Sequence, residues 1–352
     1  MNIEHLLKKK KNLKILILRM KPVGDTILAT PFFYVLKNKF PDCHITVVVN
    51  TPFAEMINNN PYCDEILAYD KKKPFSFLVK MFFRKFDISI DLMNNPRTSQ
   101  ITLFAWAKYR FGLKKGRNFF YNQQVYINES LRDTYVVDNN LKMLLPLGID
   151  KPYYEYYYKP DQLSLEFARN FLDRYKIRDK IIGLNISATT DVQRWPSEKF
   201  IKLGKKLSKE TGYFVLLLWG PEDKDLMADI ELKLSDETKF KVIPSTTLNQ
   251  LGAFIGSCSL LVTGDGGPKH MAVAMNIPTL TIYGGVSAIE WNPSDTKRFP
   301  YLTSSIECYP CHNKKACRFN TLECLHQISV DRVFETIMET VSRETTLTKF
   351  DE

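Results

Sequence analysis

The chain has 352 residues, of which 44% are apolar and 25% charged, and it carries a formal net charge of +10. These values are typical of a globular protein with two domains, and no apolar run reaches the ~18–20 residues that would cross a bilayer. The N-terminal residues lack the apolar core and the small-residue cleavage site of a secretory signal, so we expect a cytoplasmic protein.

The excess of positive charge favours anionic partners, which include nucleic acid, phosphorylated substrates and acidic membrane surfaces. Lys8 to Lys11 adjoin a short apolar segment that contains Ile3, Leu6 and Leu7. This arrangement suggests contact with an anionic membrane surface, although lysines in such a run also occur simply as a solvated face.

The first half alternates short β-rich runs with amphipathic stretches of helical length, which predicts βαβ units in a parallel sheet. The predicted strands are KILILRM, HITVVV, EILAY and DISIDL. The predicted helices are Thr26–Lys39, Phe53–Asn59, Pro74–Arg84, Thr98–Lys108 and Thr134–Leu147. A tyrosine-rich stretch between two prolines, 151–160, predicts an extended segment that leads towards a second domain.

The second half repeats the alternation from IIGLNIS onward. Its further predicted strands are YFVLLLW, KVI, SLLVT and PTLTIY. Its predicted helices are Pro196–Lys209, Glu222–Leu234, Leu248–Ile255, Pro268–Met275 and Val330–Val341, the last of which can also return to the first domain. The sequence therefore predicts an α/β protein with two Rossmann-like domains, residues 1–178 and 179–352.

Three segments follow predicted strands, which is where doubly wound sheets bind their ligands. The first is VGDTILATP, in which Asp25 begins a helix. Asp25 is either a helix cap or a carboxylate that does chemistry, and this segment alone supports both interpretations.

The segment TGDGGPKHMAVAM has the features of an anion site. Gly264, Gly266 and Gly267 permit a tight turn, and Pro268 suits the first position of a helix. The free N–H groups and partial positive charge at the start of that helix favour a phosphate. The alternative is an ordinary βα turn in which Asp265 is the cap.

The segment NISATTDVQRWPSEKF supplies hydroxyl groups from Ser187, Thr189 and Thr190 and a cation from Arg194. Hydroxyl and guanidinium groups are common partners of phosphate. Capping of the following helix by Thr190 or Ser197 is the alternative explanation.

Together, these segments resemble glycosyltransferase family nine, the ADP-heptose–lipopolysaccharide heptosyltransferases. The matching motifs are R-x₄-G-D-x₅-P from Arg19, R-W-P-x-E-x-F from Arg194, D-x-G-P-x-H-x-A-x-A from Asp265, L-L-W-G-P-E from Leu217 and C-x-P-C from Cys308. They occur in the family's order between about Lys14 and Ile337, which is nearly the whole chain.

The resemblance implies a GT-B architecture, in which two Rossmann-like domains face a central cleft. The N-terminal domain would hold the acceptor sugar and the C-terminal domain the nucleotide-sugar. The implied reaction is an inverting transfer that requires no metal or other cofactor. Asp25 occupies the position of the family's catalytic base, which would take the acceptor hydroxyl's proton as the bond between C1 and phosphate breaks.

The same resemblance suggests which side chains bind the substrates. Glu222 is similar to the family's acidic ribose ligand, although Asp223 fits equally well. Arg97 and Arg117 are candidates for contact with an acidic acceptor. The donor-binding candidates are Thr189, Thr190, Arg194, Glu222, Thr246, Asp265, Gly266, Gly267, Pro268 and His270.

One position departs from the family pattern. Relatives often carry a lysine that contacts the diphosphate, and this chain has Gln193 in its place. Either Arg194 or Lys269 supplies the missing charge, or the donor is held differently.

Four of the seven cysteines, Cys308, Cys311, Cys317 and Cys324, lie close together near the C-terminus. In a cytoplasmic protein this spacing indicates a zinc or iron site, and four reduced thiols in a packed loop are the alternative. A metal here would be structural, because the transfer chemistry does not need one. The other three cysteines are predicted to be inert core residues.

We therefore expect an enzyme that moves a heptose or related sugar from an ADP-sugar to an anionic glycolipid acceptor, the lipopolysaccharide core or another surface glycan. It would work peripherally, at the inner face of the inner membrane. The alternatives are a non-catalytic nucleotide-sugar-binding protein and a transferase with another donor or a protein acceptor. Nucleic-acid binding is not expected, because the chain has no recognisable module for it. The sequence does not determine the oligomeric state.

Overall fold

The computed structural model describes residues 3, 6–7, 10–114, 118–127, 132–234, 237–313 and 315–347. The chain divides into two compact units, Met1–Lys159 and Pro160–Glu352, and each is built around its own parallel sheet. Within the described ranges, no helix is both long enough and apolar enough to cross a membrane.

The first unit contains a six-stranded sheet in the order β3-β2-β1-β4-β5-β6. Its strands are β1 (Lys14–Leu18), β2 (His44–Asn50), β3 (Glu65–Tyr69), β4 (Ile88–Asp91), β5 (Tyr109–Leu113) and β6 (Gln123–Val125). The central strands are buried on both faces, as their continuous apolar runs predict. In the register of β1, Leu18 lies opposite Val48 on one side and Asp91 on the other.

Helices and short 3₁₀ segments connect these strands. The helices are α1 (Val23–Ile27), α2 (Thr30–Lys39), α3 (Pro74–Phe82), α4 (Pro96–Phe104) and α5 (Val136–Leu141). The 3₁₀ segments are Thr51–Ile57, Asn118–Phe120 and Lys142–Leu147. The α-helix predicted at 53–59 was therefore wrong, because this segment is a 3₁₀ helix. In the helix predicted at 134–147, only Val136–Leu141 is α-helical, and Lys142–Leu147 is 3₁₀.

The single helix predicted over 26–39 is in fact two helices, α1 and α2. Pro31 lies in the first turn of α2. Inside a continuous helix it would remove one hydrogen bond, and its ring would clash with the preceding turn. At the break, the Thr30 hydroxyl donates to the Ile27 carbonyl at 2.8 Å, which satisfies an oxygen that the helix no longer uses.

The second unit contains a six-stranded parallel sheet in the order β12-β11-β10-β7-β8-β9. Its strands are β7 (Ile181–Asn185), β8 (Phe214–Leu218), β9 (Phe240–Val242), β10 (Leu260–Gly264), β11 (Thr279–Ile282) and β12 (Tyr301–Leu302). Its helices are α6 (Gln162–Arg174), α7 (Ser197–Glu210), α8 (Lys224–Lys233), α9 (Leu248–Gly256), α10 (Gly267–Ala274), α11 (Ala288–Trp291), α12 (Glu323–His326) and α13 (Val330–Leu347).

The predicted domain boundary at 178/179 lies one helix after the division between the two units. Helix α6 was not predicted, although Asp161 caps it by accepting a hydrogen bond from the Ser164 N–H at 2.8 Å. The ring of Phe171 in α6 packs on Phe254 of α9, with centroids 5.3 Å apart. These contacts attach α6 to the second unit.

The last helix, α13, packs on α7 within the same unit. The Lys206 ammonium lies 2.5 Å from an Asp331 carboxylate oxygen and 4.7 Å over the Phe334 ring. We therefore assign the described part of this helix to the second unit.

The two sheets share one strand order when strands are counted within each unit. The direction of winding reverses between β1 and β4 in the first sheet and between β7 and β10 in the second. Doubly wound sheets bind ligands beyond the carboxyl ends of their strands at this point. The segments that follow β1, β4, β7 and β10 are therefore the places to examine for a site.

Candidate functional site

In the first unit, the segment after β1 presents Asp25 in the first turn of α1. Arg19 Nη2 lies 2.6 Å from Asp25 Oδ1, and Arg19 Nε donates to the Asp25 carbonyl at 3.0 Å. The Arg19 side chain is 5% exposed, whereas that of Asp25 is 20% exposed. A buried guanidinium thus holds a carboxylate that remains open to solvent.

Asp25 does not act as a helix cap. Pro22 is the N-cap residue of α1, and it provides no side-chain hydrogen bond to the helix. The carboxylate instead turns to Arg19, whose Nη1 donates to the Leu92 carbonyl just beyond β4 at 3.1 Å. Arg19 therefore links the two segments that flank the winding reversal of the first sheet, and the capping interpretation of Asp25 is excluded.

Asp91, at the end of β4, belongs to the same edge and was missed by the sequence analysis. It accepts hydrogen bonds from the Tyr121 hydroxyl at 2.6 Å and from the N–H groups of Met93 and Asn94 at 2.9 and 3.0 Å. Complete burial raises the pKa of its carboxyl group, and these hydrogen bonds oppose the shift. Asp91 orders the turn into α4, and its position at the carboxyl end of a buried strand was the available signal.

The two proposed acceptor residues have different outcomes. Arg97 is exposed in the first turn of α4, at the same sheet edge as Asp25, and its guanidinium lies 5.7 Å over the Tyr69 ring. Asn95 caps this helix and accepts hydrogen bonds from the Arg97 and Thr98 N–H groups. Arg117 lies outside the described residues.

In the second unit, an arginine in the segment after β7 pairs with an aspartate in the segment after β8. Arg194 Nη1 lies 2.6 Å from Asp223 Oδ1, and Arg194 Nη2 donates to the Ala188 carbonyl at 3.1 Å. The Ser187 hydroxyl donates to the second Asp223 oxygen and accepts from the Gly220 N–H. Here the carboxylate is buried, with 6% of its side chain exposed, while 23% of Arg194 is exposed.

This geometry separates the roles of Glu222 and Asp223. Asp223 is buried and supports Arg194, whereas Glu222 in the same 3₁₀ turn is exposed. Thr189 is also exposed, and Thr190 and Thr246 are half-buried. Thr190 donates its hydroxyl to Gln193 Oε1 at 3.1 Å. The alternative that Thr190 caps the next helix is not supported, because the N-cap residue of α7 is Pro196.

The glycine-rich turn after β10 brings Asp265 into a buried ionic cluster. Lys269 Nζ lies 3.0 Å from Asp265 Oδ1 and donates to the Tyr283 hydroxyl at 2.8 Å and the Trp291 carbonyl at 2.5 Å. His270 Nε2 lies 3.9 Å from the same Asp265 oxygen. Asp265 is thus not the cap of α10, for which the N-cap residue is Gly266.

Lys269 is completely buried by these contacts. The expectation that it supplies the charge absent at position 193 is therefore not supported, because its ammonium is occupied by groups inside the second unit. Gln193 is also buried, and its Nε2 donates to the Asp265 backbone and carboxylate oxygens at 3.2 and 3.3 Å. This contact joins the loop after β7 to the turn after β10, at the point where the winding of the sheet reverses.

Close backbone packing explains part of the glycine pattern. A Cβ at Gly264 would lie 2.2 Å from the Gln193 carbonyl oxygen, and one at Gly284 would lie 2.0 Å from that of Val192. Neither position can accept a side chain without displacing the loop that carries Arg194. Gly266, Gly267 and Pro268 are half-exposed, so the start of α10 remains open to a ligand.

The four clustered cysteines line one cavity of about 420 Å³ next to this loop. Among the described residues, no three histidine, cysteine or acidic side chains lie together closely enough to hold a metal ion. Backbone N–H groups of Leu322, Thr321 and Phe319 lower the pKa of Cys317 to about 7, whereas burial raises that of Cys324. The expected metal site therefore stays a prediction.

The basic N-terminal segment is described only in part. Lys8 and Lys9 lie outside the described residues, and Lys10 forms an ion pair with Asp87 at 2.7 Å.

Comparisons with known proteins identify the family and the fold of this chain. The family model "Glycosyltransferase family 9 (heptosyltransferase)" matches residues 77–322. Lipopolysaccharide heptosyltransferase 3 of Escherichia coli is 25% identical over 309 residues, which cover 83% of this chain and 89% of that protein.

Two solved structures have the same fold. A family 9 glycosyl transferase from Veillonella parvula superposes with a TM-score of 0.79 at 23% identity, covering 94% of this chain and 97% of that one. ADP-heptose LPS heptosyltransferase II of E. coli gives 0.76 at 20% identity, covering 95% and 100%. The expected GT-B fold is thus confirmed, and because the family model matches more than half of its residues, the chain belongs to glycosyltransferase family 9.

Proposed function

We propose that this glycosyltransferase moves a heptose or a related sugar from an ADP-sugar to the lipopolysaccharide core or another surface glycan, with inversion at the transferred carbon. The names of its relatives support the sugar, the donor and the acceptor class. In this proposal the first unit binds the acceptor and the second binds the donor.

The observation that carries the proposal is the opposite orientation of the two arginine–aspartate pairs. In the first unit the arginine is buried and the carboxylate is partly exposed, whereas in the second unit the carboxylate is buried and the arginine is partly exposed. An exposed carboxylate suits proton removal from a hydroxyl. An exposed guanidinium suits a diphosphate.

In the proposed reaction, Asp25 takes the proton of an acceptor hydroxyl. The freed oxygen forms a bond to C1 of the sugar as the bond between C1 and the diphosphate oxygen breaks, and ADP leaves with that electron pair. Arg19 holds one oxygen of Asp25 and thereby fixes the direction of the carboxylate. A base that is held in one geometry needs no reorganisation before it takes the proton.

Arg194 would neutralise the charge that develops on the leaving diphosphate. The hydroxyls of Thr189 and Thr190 and the start of α10 at Gly266, Gly267 and Pro268 would add hydrogen bonds. Because Asp223 is committed to Arg194 and Ser187, the exposed Glu222 is the better candidate for the ribose hydroxyls. Thr246 would lie beside the adenine.

Asp265 and His270 are buried beneath the proposed donor-binding surface. Asp265 binds Lys269 and Gln193, and through Gln193 it fixes the loop that carries Arg194. We assign to Asp265 and His270 the positioning of the donor loop.

For the acceptor, Arg97 would bind an acidic group of a glycolipid, with Arg117 as a second candidate. An anionic acceptor at the inner face of the inner membrane places the enzyme peripherally on that membrane. The four cysteines would hold a structural zinc or iron ion in this proposal, with no part in the transfer.

The direct test is mass spectrometry of products formed by the purified protein with ADP-heptose and candidate core acceptors. We expect a gain of one heptose on the acceptor. Turnover only with another nucleotide-sugar, or only on a protein acceptor, would overturn the specific assignment. Proton nuclear magnetic resonance of the new glycosidic linkage then tests inversion.

A further inference from the structure

Helix α3 of the first unit is apolar on two opposite sides. One side packs into the core through Phe77 and Met81, which are buried. The opposite side carries Phe75, Val79 and Phe82, which are 76%, 41% and 48% exposed. The spacing of 75, 79 and 82 places these three side chains on one stripe of the helix. A surface helix needs only one apolar stripe to fold, so the second stripe requires another explanation.

Two more aromatic side chains extend this stripe. Phe83, directly after α3, is 73% exposed, and its ring packs edge-on against Phe82 at 5.5 Å. Trp106, just after α4, is 71% exposed and lies 6.2 Å from Phe82. We call Phe75, Val79, Phe82, Phe83 and Trp106 the aromatic patch. An exposed contiguous surface of this kind marks an interaction site more often than a free surface.

The Trp106 side chain contributes little to the stability of the fold. Its backbone lies in the left-handed region, with φ of 49°, at the end of a helix where glycine or asparagine is the favoured residue. A bulky side chain in this region is unfavourable, and this one is largely exposed to solvent. The fold itself therefore does not account for a tryptophan here.

The surroundings of the aromatic patch are cationic. Residues 71–85 (KKKPFSFLVKMFFRK) contain six basic residues and no acidic residue. Lys71, Lys72, Lys73, Lys80 and Lys85 are exposed. Exposed Lys108 lies two residues beyond Trp106. Phenylalanine and tryptophan side chains among lysines are the composition with which peripheral helices enter the headgroup region of anionic bilayers.

We propose that the aromatic patch docks the protein on an anionic lipid bilayer, with its aromatic rings in the headgroup region and its lysines on the phosphates. The proposed surface is thus α3 and the end of α4, and the membrane contact suggested for the N-terminal lysines stays a separate prediction. A second copy of the chain is a poorer occupant, because face-to-face contact would bring two sets of these lysines together. The biological purpose of this docking rests on the proposed glycolipid acceptor, whereas the experiment that tests the docking does not.

The experiment is sedimentation of the full chain with vesicles, without donor or acceptor. Phosphatidylcholine vesicles with about one third phosphatidylglycerol should bind the protein, high salt should weaken binding, and pure phosphatidylcholine should bind poorly. The variant Phe75→Ser/Phe83→Ser should lose more than about tenfold in affinity, since each exposed ring loses its burial in lipid. Leu163→Ser/Leu232→Ser is the matched control, because both leucines are exposed in the second unit and should leave affinity unchanged.

Trp106 provides an independent readout. Lipids with brominated chains should quench the fluorescence of the bound protein. Trp106→Phe should abolish most of that quenching, because Trp195 and Trp219 are buried and Trp291 is partly buried in the second unit. Trp106→Gly should bind more weakly while its melting temperature is unchanged or raised, since glycine suits the left-handed backbone. A loss of binding with preserved melting separates docking from folding.

Unchanged vesicle affinity in Phe75→Ser/Phe83→Ser, or quenching that survives in Trp106→Phe, would overturn the inference. Light scattering without lipid gives a third readout. A dimer that this variant dissociates would make the patch a contact between copies instead. Transfer to a deacylated, water-soluble acceptor separates the two proposals: its absence in the wild type would contradict the proposed function and leave vesicle docking intact.

Discussion

The two halves of the molecule use the same ion pair in opposite ways. Arg19 and Asp25 in the first unit, and Arg194 and Asp223 in the second, are each joined at 2.6 Å beyond the carboxyl end of a central strand. The more exposed member is the carboxylate in the first pair and the guanidinium in the second. In the proposed reaction, the more exposed member of each pair, and not the presence of the pair, sets the role of that edge.

The pairs also differ in how the sequence encodes them. Arg19 and Asp25 are six residues apart and belong to one motif, so a local reading finds both. Arg194 and Asp223 come from the loops after β7 and β8 and meet only because those strands are neighbours. The comparison therefore predicts that the first pair is sensitive to local geometry and the second to the packing of its loops.

The largest expected effect comes from Asp25→Asn, which keeps the shape of the side chain and removes the base. Loss of a positioned base lowers kcat by ~10²–10⁴-fold, and calorimetry should find the affinity for ADP unchanged. The control is Asp173→Asn, an exposed aspartate that also pairs with an arginine. A near wild-type kcat for Asp25→Asn would remove the distinction between the two edges.

The next effect is expected from Arg19→Lys, which keeps the buried charge but loses the guanidinium fork that spans Asp25 and Leu92. Small misplacement of a reacting group can lower kcat by up to ~10²-fold. The KM for the acceptor should change little, because Arg19 acts through Asp25. Arg178→Lys, in the exposed pair with Asp173, is the control. An equal loss in both variants would make the effect non-specific.

At the second edge, Arg194→Ala alone would confuse binding with stability, because it leaves the Asp223 carboxylate buried without its partner. The double variant Arg194→Ala/Asp223→Asn removes both charges. We expect the dissociation constant of ADP to rise ~10- to 100-fold, as for loss of a hydrogen bond to a charged group, while acceptor binding is unchanged. Unchanged ADP affinity would place the diphosphate elsewhere.

The smallest effect on transfer is expected from removal of a metal from the cysteine loop. The cysteine loop lies beside the second edge, because its four cysteines line a cavity together with Val192 and Gly285. The Gly285 N–H donates to the Val192 carbonyl at 3.1 Å. If an ion closes the loop, removing it should lower the melting temperature more than the initial rate. Cys311→Ser should have the same effect. Because Cys311 is exposed, the loss of its buried surface would not explain a lower melting temperature.

Elemental analysis of protein purified anaerobically without chelator is the deciding measurement: if the cysteines bind a metal, it should find about one zinc or iron ion per chain. Cys43→Ser should leave that content unchanged. In metal-free protein, Cys317 should be alkylated readily near neutral pH, since its pKa is about 7 and the thiolate is the reactive form. Metal content near zero would make these four cysteines packing residues.

The sequence predicted the sheets well and the helices less well. All nine predicted strands are present, because buried parallel strands appear as continuous apolar runs. Strands β5, β6 and β12 were missed. Strand β5 contains Arg110 and Gly112 and is specified by contact with Tyr121, because a Cβ at Gly112 would lie 2.6 Å from that ring. Tertiary packing of this kind leaves no local pattern.

In the site, too, local motifs were predicted and tertiary contacts were not. Asp25 and Arg194 were found from motifs, and their surroundings were not. The sequence left Asp223 and Glu222 equivalent, because burial of one carboxylate of two neighbours depends on Ser187 from another loop. Lys269 was a candidate ligand until its burial by Tyr283 and Trp291 was known. Asp91 carried no motif, and only its enclosure by Tyr121 and the following turn reveals its function in ordering that edge.

The separate sheets have a consequence for synthesis on the ribosome. Every strand of the first sheet comes from residues 14–125, and every strand of the second from 181 onward. Although β1 must wait for β4 before it is paired on both sides, no partner from the second unit is required. At ~5–20 residues per second, ribosomes need roughly ten seconds or more to add the second unit. The first unit therefore has time to fold as an independent body while the rest of the chain is still being made.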